Sequence, residues 1–269
     1  MNRMKRLLTE SPLGLGLAIT VGFLGFLILS AVAANHWPAG TQSWYLGSTA
    51  GRILAIAVVV ALLARRGWLR PSGLTRPGSR PVWLLMLALA VLAMAASTYA
   101  LSGAVNFRFY GSLPAHVALF LLVHVLLEEV IFRGLLLLVF IRGWRDSPRG
   151  LSRGLLVASL LFAAMHLANV LGGNPLPVVL LQSAGAFFLG VLLGALVLAG
   201  GSLYPAVFLH GMANLTAFHS LAANPLAAST PRLWLLQSAL MVPLAVIGLT
   251  ILRARPRPAA MVWRLQNER

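Results

Sequence analysis

The feature that most constrains this chain is a series of long apolar runs. A transmembrane α-helix takes about 20 apolar residues, and eight runs reach that length. They are about Leu13–Ala34, Trp44–Ala64, Val82–Ser102, Pro114–Ile141, Leu151–Leu171, Pro177–Ala199, Ser202–Ala222 and Arg232–Leu252. Only 10% of the 269 residues are charged, whereas a soluble domain has about 25%. The sequence therefore predicts an all-α polytopic membrane bundle of about eight transmembrane helices.

The predicted bundle divides into three parts. Residues 1–113 hold about three helices and an arginine-rich loop, residues 114–222 hold four helices, and residues 223–269 hold the last helix and a basic tail. In the sixth run, Ala186, Gly190 and Gly194 form a stripe of small residues. Such a stripe lets membrane helices approach closely, so we expect it to serve packing.

The basic residues indicate the orientation of the bundle. The net charge is +16, and all arginines and lysines fall in the two tails or the second and fourth loops, except Arg52, Arg108, Arg133 and Arg232. Basic loops stay on the cytoplasmic side, so both termini are predicted to be cytoplasmic. This placement explains the charge by topology, and the chain has no nucleic-acid-binding motif. Cysteine is absent, which excludes disulfides and thiolate chemistry.

The first run also has features of a signal peptide. It follows a basic start and contains Ala31-Val32-Ala33 near its end, which resembles a cleavage site. The apolar core of a signal peptide is usually about 7–15 residues long, and this run is longer. We expect an uncleaved helix; cleavage would leave the later topology unchanged.

Polar residues inside the runs indicate where a site lies. Ionisable side chains in a membrane span usually face the bundle interior and mark a pathway or site. A rise of about 1.5 Å per residue puts Glu128, His166 and Asn214, from three different helices, at about 20 Å from the cytoplasmic side. His210 lies a few ångströms lower. A shared polar pocket is the economical interpretation.

Local spacing predicts which side chains meet on one helix. Residues four apart lie on the same face, which pairs Glu129 with Arg133 and directs His210 and Asn214 to one spot. His124 precedes Glu128 by one turn. We expect Glu129 and Arg133 to form an internal ion pair. Arg52 is expected to reach the interface or a backbone carbonyl, without a catalytic role.

These side chains suit water-mediated cleavage of an acyl bond. A buried carboxylate can act as a base, a nearby histidine can hold the water, and a His–Asn pair can donate hydrogen bonds to an oxyanion. Spacing alone leaves Glu128 equally open to a role as a satisfied buried acid. A proton-coupled transporter or channel would also use buried Glu and His, although no inverted repeat supports it. A non-catalytic membrane scaffold is a third alternative.

Three motifs resemble those of a known family. EEVIFRG (Glu128–Gly134) resembles the EExxxR motif, FAAMH (Phe162–His166) the FxxxH motif, and HGMAN (His210–Asn214) the HxxxN motif of the CAAX-protease and bacteriocin-processing family. This family includes the Rce1-type prenyl-protein endopeptidases. The resemblance covers about Pro114 to Ser220, with each motif on its own predicted helix.

The resemblance implies an intramembrane endopeptidase. It implies that Glu128 and His166 activate a water and that His210 and Asn214 form the oxyanion hole. Glu129 and Arg133 would brace the site, and Phe162 would pack beside it. His124 is a candidate supporting residue on spacing alone.

Cofactor and location follow from the same resemblance. No cofactor is favoured, although zinc on Glu128, His166 and His210 is a possible alternative. The implied substrate is a membrane-associated protein or peptide cut within the bilayer, and nucleic acid is not expected as a partner. The implied location is the bacterial inner membrane.

Overall fold

The protein is a bundle of long helices. The computed structural model describes residues 11–34, 36–102, 113–223 and 225–254 of the chain. Within these ranges it contains eight long helices and no strand, which confirms the all-α prediction. The helices are α1 (Pro12–Ala34), α2 (Gln42–Arg65), α3 (Arg80–Ser102), α4 (Ala115–Gly143), α5 (Gly150–Gly172), α6 (Leu176–Gly200), α7 (Tyr204–Ala223) and α8 (Pro231–Ala254).

Seven of these eight helices are long and apolar enough to cross a membrane. Among the described residues the exception is α7, whose hydropathy is lowered by His210, Asn214 and His219. The predicted orientation depends on the two basic tails and on the basic second and fourth loops, set against Arg108 and Arg232. Residues 1–10, Arg108 and residues 255–269 lie outside the described residues, so the orientation stays a prediction.

Two helices contain a local change of helix type next to a predicted site residue. In α4, a π-helical stretch, Val130–Leu136, begins directly after Glu129. In α5, the α-helix ends at Met165 and a 3₁₀ stretch runs from His166 to Gly172. It stops at Gly173, which adopts a left-handed conformation with φ 86°. π-Helical turns within α-helices frequently occur at functional sites, and neither change was predicted from the sequence.

The core of the bundle forms around α6. This helix packs most extensively against α8 and α5, while α3 packs against α7 and α2 against α4. A Cβ on Gly190 would meet the Ser159 side chain of α5 at 3.2 Å. Gly194 likewise lies against Leu155 of α5. The predicted packing role of the small-residue stripe is therefore confirmed for these two glycines.

The crossing of α8 over α6 depends on Gly248. A Cβ at this position would lie 2.9 Å from the Cα of Leu192, a backbone atom that cannot move without displacing α6. We expect Gly248→Ala to destabilise the bundle, because overpacking costs about 1–3 kcal/mol and outweighs the helix propensity that alanine gains, up to about 1 kcal/mol. The measurement is the temperature at which half of the detergent-solubilised protein is no longer monodisperse.

Gly25→Ala in α1 is the matched control, because a Cβ there meets nothing within 4 Å. Its midpoint should equal or slightly exceed that of the wild type. Equal midpoints for Gly248→Ala and the wild type would show that the two helices are not in tight contact.

Candidate active site

Three helices bring the predicted site residues together. Glu128 and Glu129 come from α4, His166 from α5, and His210 and Asn214 from α7. Glu129 has no solvent exposure, and His210 and Glu128 are 2% and 8% exposed. Charged groups this deeply buried require partners, so the contacts among these side chains define the site.

Glu129 connects α4 to α7. Its Oε1 accepts a hydrogen bond from Nη1 of Arg133 at 2.8 Å and another from Nδ1 of His210 at 2.8 Å. The first contact confirms the ion pair predicted from the spacing of Glu129 and Arg133. The second was not predicted. It fixes the hydrogen on Nδ1 of His210 when the carboxylate is ionised, because an ionised carboxylate can only accept.

Glu128 lies on the other side of the same imidazole. Its Oε2 is 3.7 Å from Nε2 of His210, and its Oε1 is 3.4 Å from Nε2 of His124. The two adjacent glutamates thus face opposite ring nitrogens of His210. The 3.7 Å separation is longer than a direct hydrogen bond, so Glu128 does not engage Nε2 of His210.

The Phe162 ring packs against three side chains of the site. The guanidinium of Arg133 lies 4.2 Å from the centre of its ring, and its ring meets those of His166 and His210 edge to face at 5.0 and 5.6 Å. Its carbonyl oxygen also accepts a hydrogen bond from Nδ1 of His166 at 3.0 Å. A carbonyl cannot donate, so in neutral His166 the lone pair is on Nε2.

Two cavities meet at His166 and Asn214. A cavity of about 630 Å³ is lined by Glu128, His124, His166 and Asn214, together with apolar residues of α1. A smaller one of about 90 Å³ is lined by His166, His210 and Asn214. The four residues predicted to be catalytic therefore lie at the junction of a large open cavity and a small inner one.

Residues 110–216 match the family model described as Type II CAAX prenyl endopeptidase Rce1-like. This segment is therefore similar to the Rce1-like CAAX-protease family. The matched segment includes all three motifs and every predicted site residue. No curated protein and no solved structure matched the chain significantly. The match points to an endopeptidase of the membrane, and the seven apolar helices support an integral membrane protein.

The site also contains residues that the sequence analysis missed. Gln182 of α6 lines both cavities and accepts a hydrogen bond from Nδ2 of Asn169 at 2.9 Å. A lone glutamine in an apolar run was the available signal. Arg52 of α2 lines the large cavity; its Nη1 donates to the Ser48 carbonyl at 2.9 Å, as expected, but its Nε also contacts His124.

The zinc site considered from the sequence is not assembled in the described part of the chain. Among the described residues, no three His, Cys, Asp or Glu side chains are placed to hold a metal ion. Nδ1 of His210 is engaged by Glu129 and Nδ1 of His166 by a carbonyl, so only the Nε2 atoms of these rings face the cavities. We derive no step through a metal.

Removing the partner of Glu129 should destabilise the Rce1-like segment strongly. Arg133 is 2% exposed, and breaking a buried ion pair by removing one partner costs about 3–5 kcal/mol. We expect Arg133→Met to lower both the yield of folded protein and its thermal midpoint in detergent.

The control is Arg145→Met, which removes an exposed partner of Asp146 at 3.6 Å, where the two side chains are 48% and 93% exposed. Exposed pairs contribute about 0–1 kcal/mol, so this midpoint should hardly move. A similar midpoint for both variants would mean that the buried pair does not stabilise the fold.

Proposed function

We propose that this protein is an intramembrane endopeptidase that hydrolyses a peptide bond of a membrane-associated protein or peptide. The observation that carries the proposal is the convergence of Glu128, His166 and Asn214, from three helices, on one cavity of about 630 Å³. A cavity of this size is in the usual range of about 300–1,000 Å³ for ligand sites. Its α1 wall is apolar, with Leu24, Leu27, Ile28, Ala31 and Val32, which suits a substrate that enters from the bilayer.

Glu128 and His166 are the proposed activators of the hydrolytic water. The lone pair on Nε2 of His166 can accept a hydrogen bond from that water, because Nδ1 is engaged by the Phe162 carbonyl. Glu128 takes the proton as the water oxygen attacks the substrate carbonyl carbon. When the carbon–nitrogen bond breaks, Glu128 returns the proton to the amine that leaves. Such general acid–base catalysis contributes about 10²–10⁴-fold.

His210 and Asn214 are the proposed oxyanion donors. They are four residues apart on α7, so their side chains project from the same helix face, and both line the inner cavity. The amide of Asn214 donates directly. Since Glu129 holds a hydrogen on Nδ1 of His210, Nε2 can donate to an oxyanion only when the ring is doubly protonated. A single such donor can be worth about 10²–10³ in kcat.

Location and orientation belong to the same proposal. We propose the bacterial inner membrane with both termini in the cytoplasm, on the basis of the family and of the basic loops. In that orientation α4 runs from the outer to the inner side, and Glu128 lies within the membrane rather than at its surface.

Loss of Glu128 or His166 should abolish processing. We expect cells with Glu128→Ala, Glu128→Gln or His166→Ala to lack a fragment that wild-type cells release, with the rate reduced at least about 100-fold. The measurement is a quantitative comparison of membrane and secreted proteomes, which also identifies the substrate.

Asp146→Ala is the control, because Asp146 is exposed on a loop and should process normally. Glu128→Gln keeps the shape of the side chain and separates lost chemistry from lost folding. If all three variants released the same fragments as the wild type, the protein would not be a protease of this kind.

Metal removal provides a separate test of the mechanism. We expect purified protein in nanodiscs to cleave its identified substrate at an unchanged rate after treatment with 1,10-phenanthroline, because no three candidate ligands among the described residues are placed to hold a metal ion. A zinc endopeptidase assayed in parallel should lose its activity. Loss of cleavage that added zinc restores would contradict this expectation.

A further inference from the structure

Arg52 of α2 is directed into the site from outside the family segment. Its guanidinium is held on three sides: Nε donates to Nδ1 of His124 at 3.2 Å, Nη1 donates to the Ser48 carbonyl at 2.9 Å, and Cζ lies 4.6 Å from the centre of the Phe120 ring. Arg52 and His124 both line the large cavity beside Glu128. This contact joins residues that are 72 positions apart in the sequence.

The contact with Arg52 determines where the proton of His124 lies. A guanidinium has only donors, so Nδ1 of His124 must accept, and the hydrogen of the neutral ring must be on Nε2. That nitrogen lies 3.4 Å from Oε1 of Glu128. The hydrogen bond from Arg52 therefore leaves the N–H of His124 on the side that faces Glu128.

His124 and His210 contact different oxygens of the same carboxylate. His124 faces Oε1, whereas His210 faces Oε2. A donor that faces Oε1 restricts rotation of the Glu128 carboxylate. Oε2 then stays directed at His210 and the inner cavity. In the other tautomer of His124, a lone pair on Nε2 would point at Oε1 and repel it.

We propose that Arg52 and His124 are positioning residues, which hold the carboxylate of Glu128 in the orientation that the reaction needs. This proposal rests on the proposed function, since it assigns Glu128 as the base. A charged arginine within a membrane span costs about 2.5–3.5 kcal/mol on insertion scales. A purely structural link between α2 and α4 would not require a donor-only side chain at this point.

The Phe120 ring supports the same arrangement. It lies parallel to the His124 ring, with centroids 5.9 Å apart and an interplanar angle of 1°. It also contacts Trp44 and Tyr45 of α2 at 5.7 and 5.3 Å. Arg52 and His124 are thus supported by the same aromatic side chain, which fixes the ring plane of His124, whereas Arg52 sets its tautomer.

The tautomer of His124 is the direct test, and it requires no substrate. The full chain is labelled with ¹⁵N-histidine and studied by NMR in nanodiscs at a pH at which the imidazole is neutral. The chain has 6 histidines, and the His124 signals are assigned by their loss in His124→Gln. We expect a protonated Nε2 and a non-protonated Nδ1 in the wild type.

Arg52→Met removes every donor at a similar side-chain length, and we expect a population with protonated Nδ1 to appear. Arg52→Lys retains a donor-only group, and we expect it to preserve the wild-type tautomer of His124. The control is Arg65→Met, because Arg65 is exposed at the far end of α2 and should leave the spectrum unchanged. A protonated Nδ1 in the wild type, or no change in Arg52→Met, would overturn the proposal.

Processing of the fragment lost in Glu128→Ala cells is the second readout. A small misplacement of a reacting group can cost about 100-fold in rate, so we expect a loss approaching this size in Arg52→Met and His124→Phe. His124→Gln, which keeps a donor near the position of Nε2, should recover most of the rate. A changed tautomer with an unchanged rate would also overturn the positioning role.

The two readouts separate this proposal from the proposed function. If Glu128→Ala processed every protein normally, the protease assignment would fail, yet the NMR result would still report whether Arg52 sets the tautomer. If processing depended on Glu128 but not on Arg52 or His124, only the positioning role would fail. Thermal midpoints in detergent show whether a variant has simply lost its fold.

Discussion

The site depends on one carboxylate oxygen, Oε1 of Glu129. It accepts hydrogen bonds from Arg133 on its own helix and from His210 on α7, both at 2.8 Å. In a low-dielectric interior such bonds are strong, and an unpaired charge is costly. The contact therefore fixes α7 against α4, and it also sets the ring orientation of His210. Glu128 directly precedes Glu129 in α4. Fixing Glu129 against His210 therefore also places Glu128 beside the His210 ring.

Adjacent glutamates divide two tasks because of helical geometry. Successive residues point about 100° apart around an α-helix, so Glu129 can face the protein core while Glu128 faces the large cavity. The π-helical stretch starts directly after this pair. Glu129 has no exposure and two strong donors, which suits a structural residue. Glu128 has longer contacts on both oxygens, 3.4 and 3.7 Å, and lines a cavity, which suits a residue that meets other molecules.

Local contacts could be predicted from the sequence, but contacts between helices could not. The four-residue spacing was enough to predict the pairing of Glu129 with Arg133, and the apolar runs predicted the eight helices. The bond between Glu129 and His210 spans 81 positions, and spacing within one helix carries no information about it. The π-helical turn has no sequence signal comparable to an apolar run. Arg52 was given no role because its partner, His124, becomes visible only when α2 is packed on α4.

The family segment does not contain the whole site. Residues 110–216 hold the predicted catalytic side chains, but Arg52 comes from α2 and the apolar wall of the large cavity from α1. Under the proposed function, a substrate in this cavity would meet polar groups from the family segment on one side and apolar side chains from α1 on the other. The proposed chemistry and the choice of substrate would then depend on different parts of the chain. The three motifs indicate the reaction chemistry. They carry little information about the choice of substrate, because the residues of the α1 wall are apolar like those of any membrane helix.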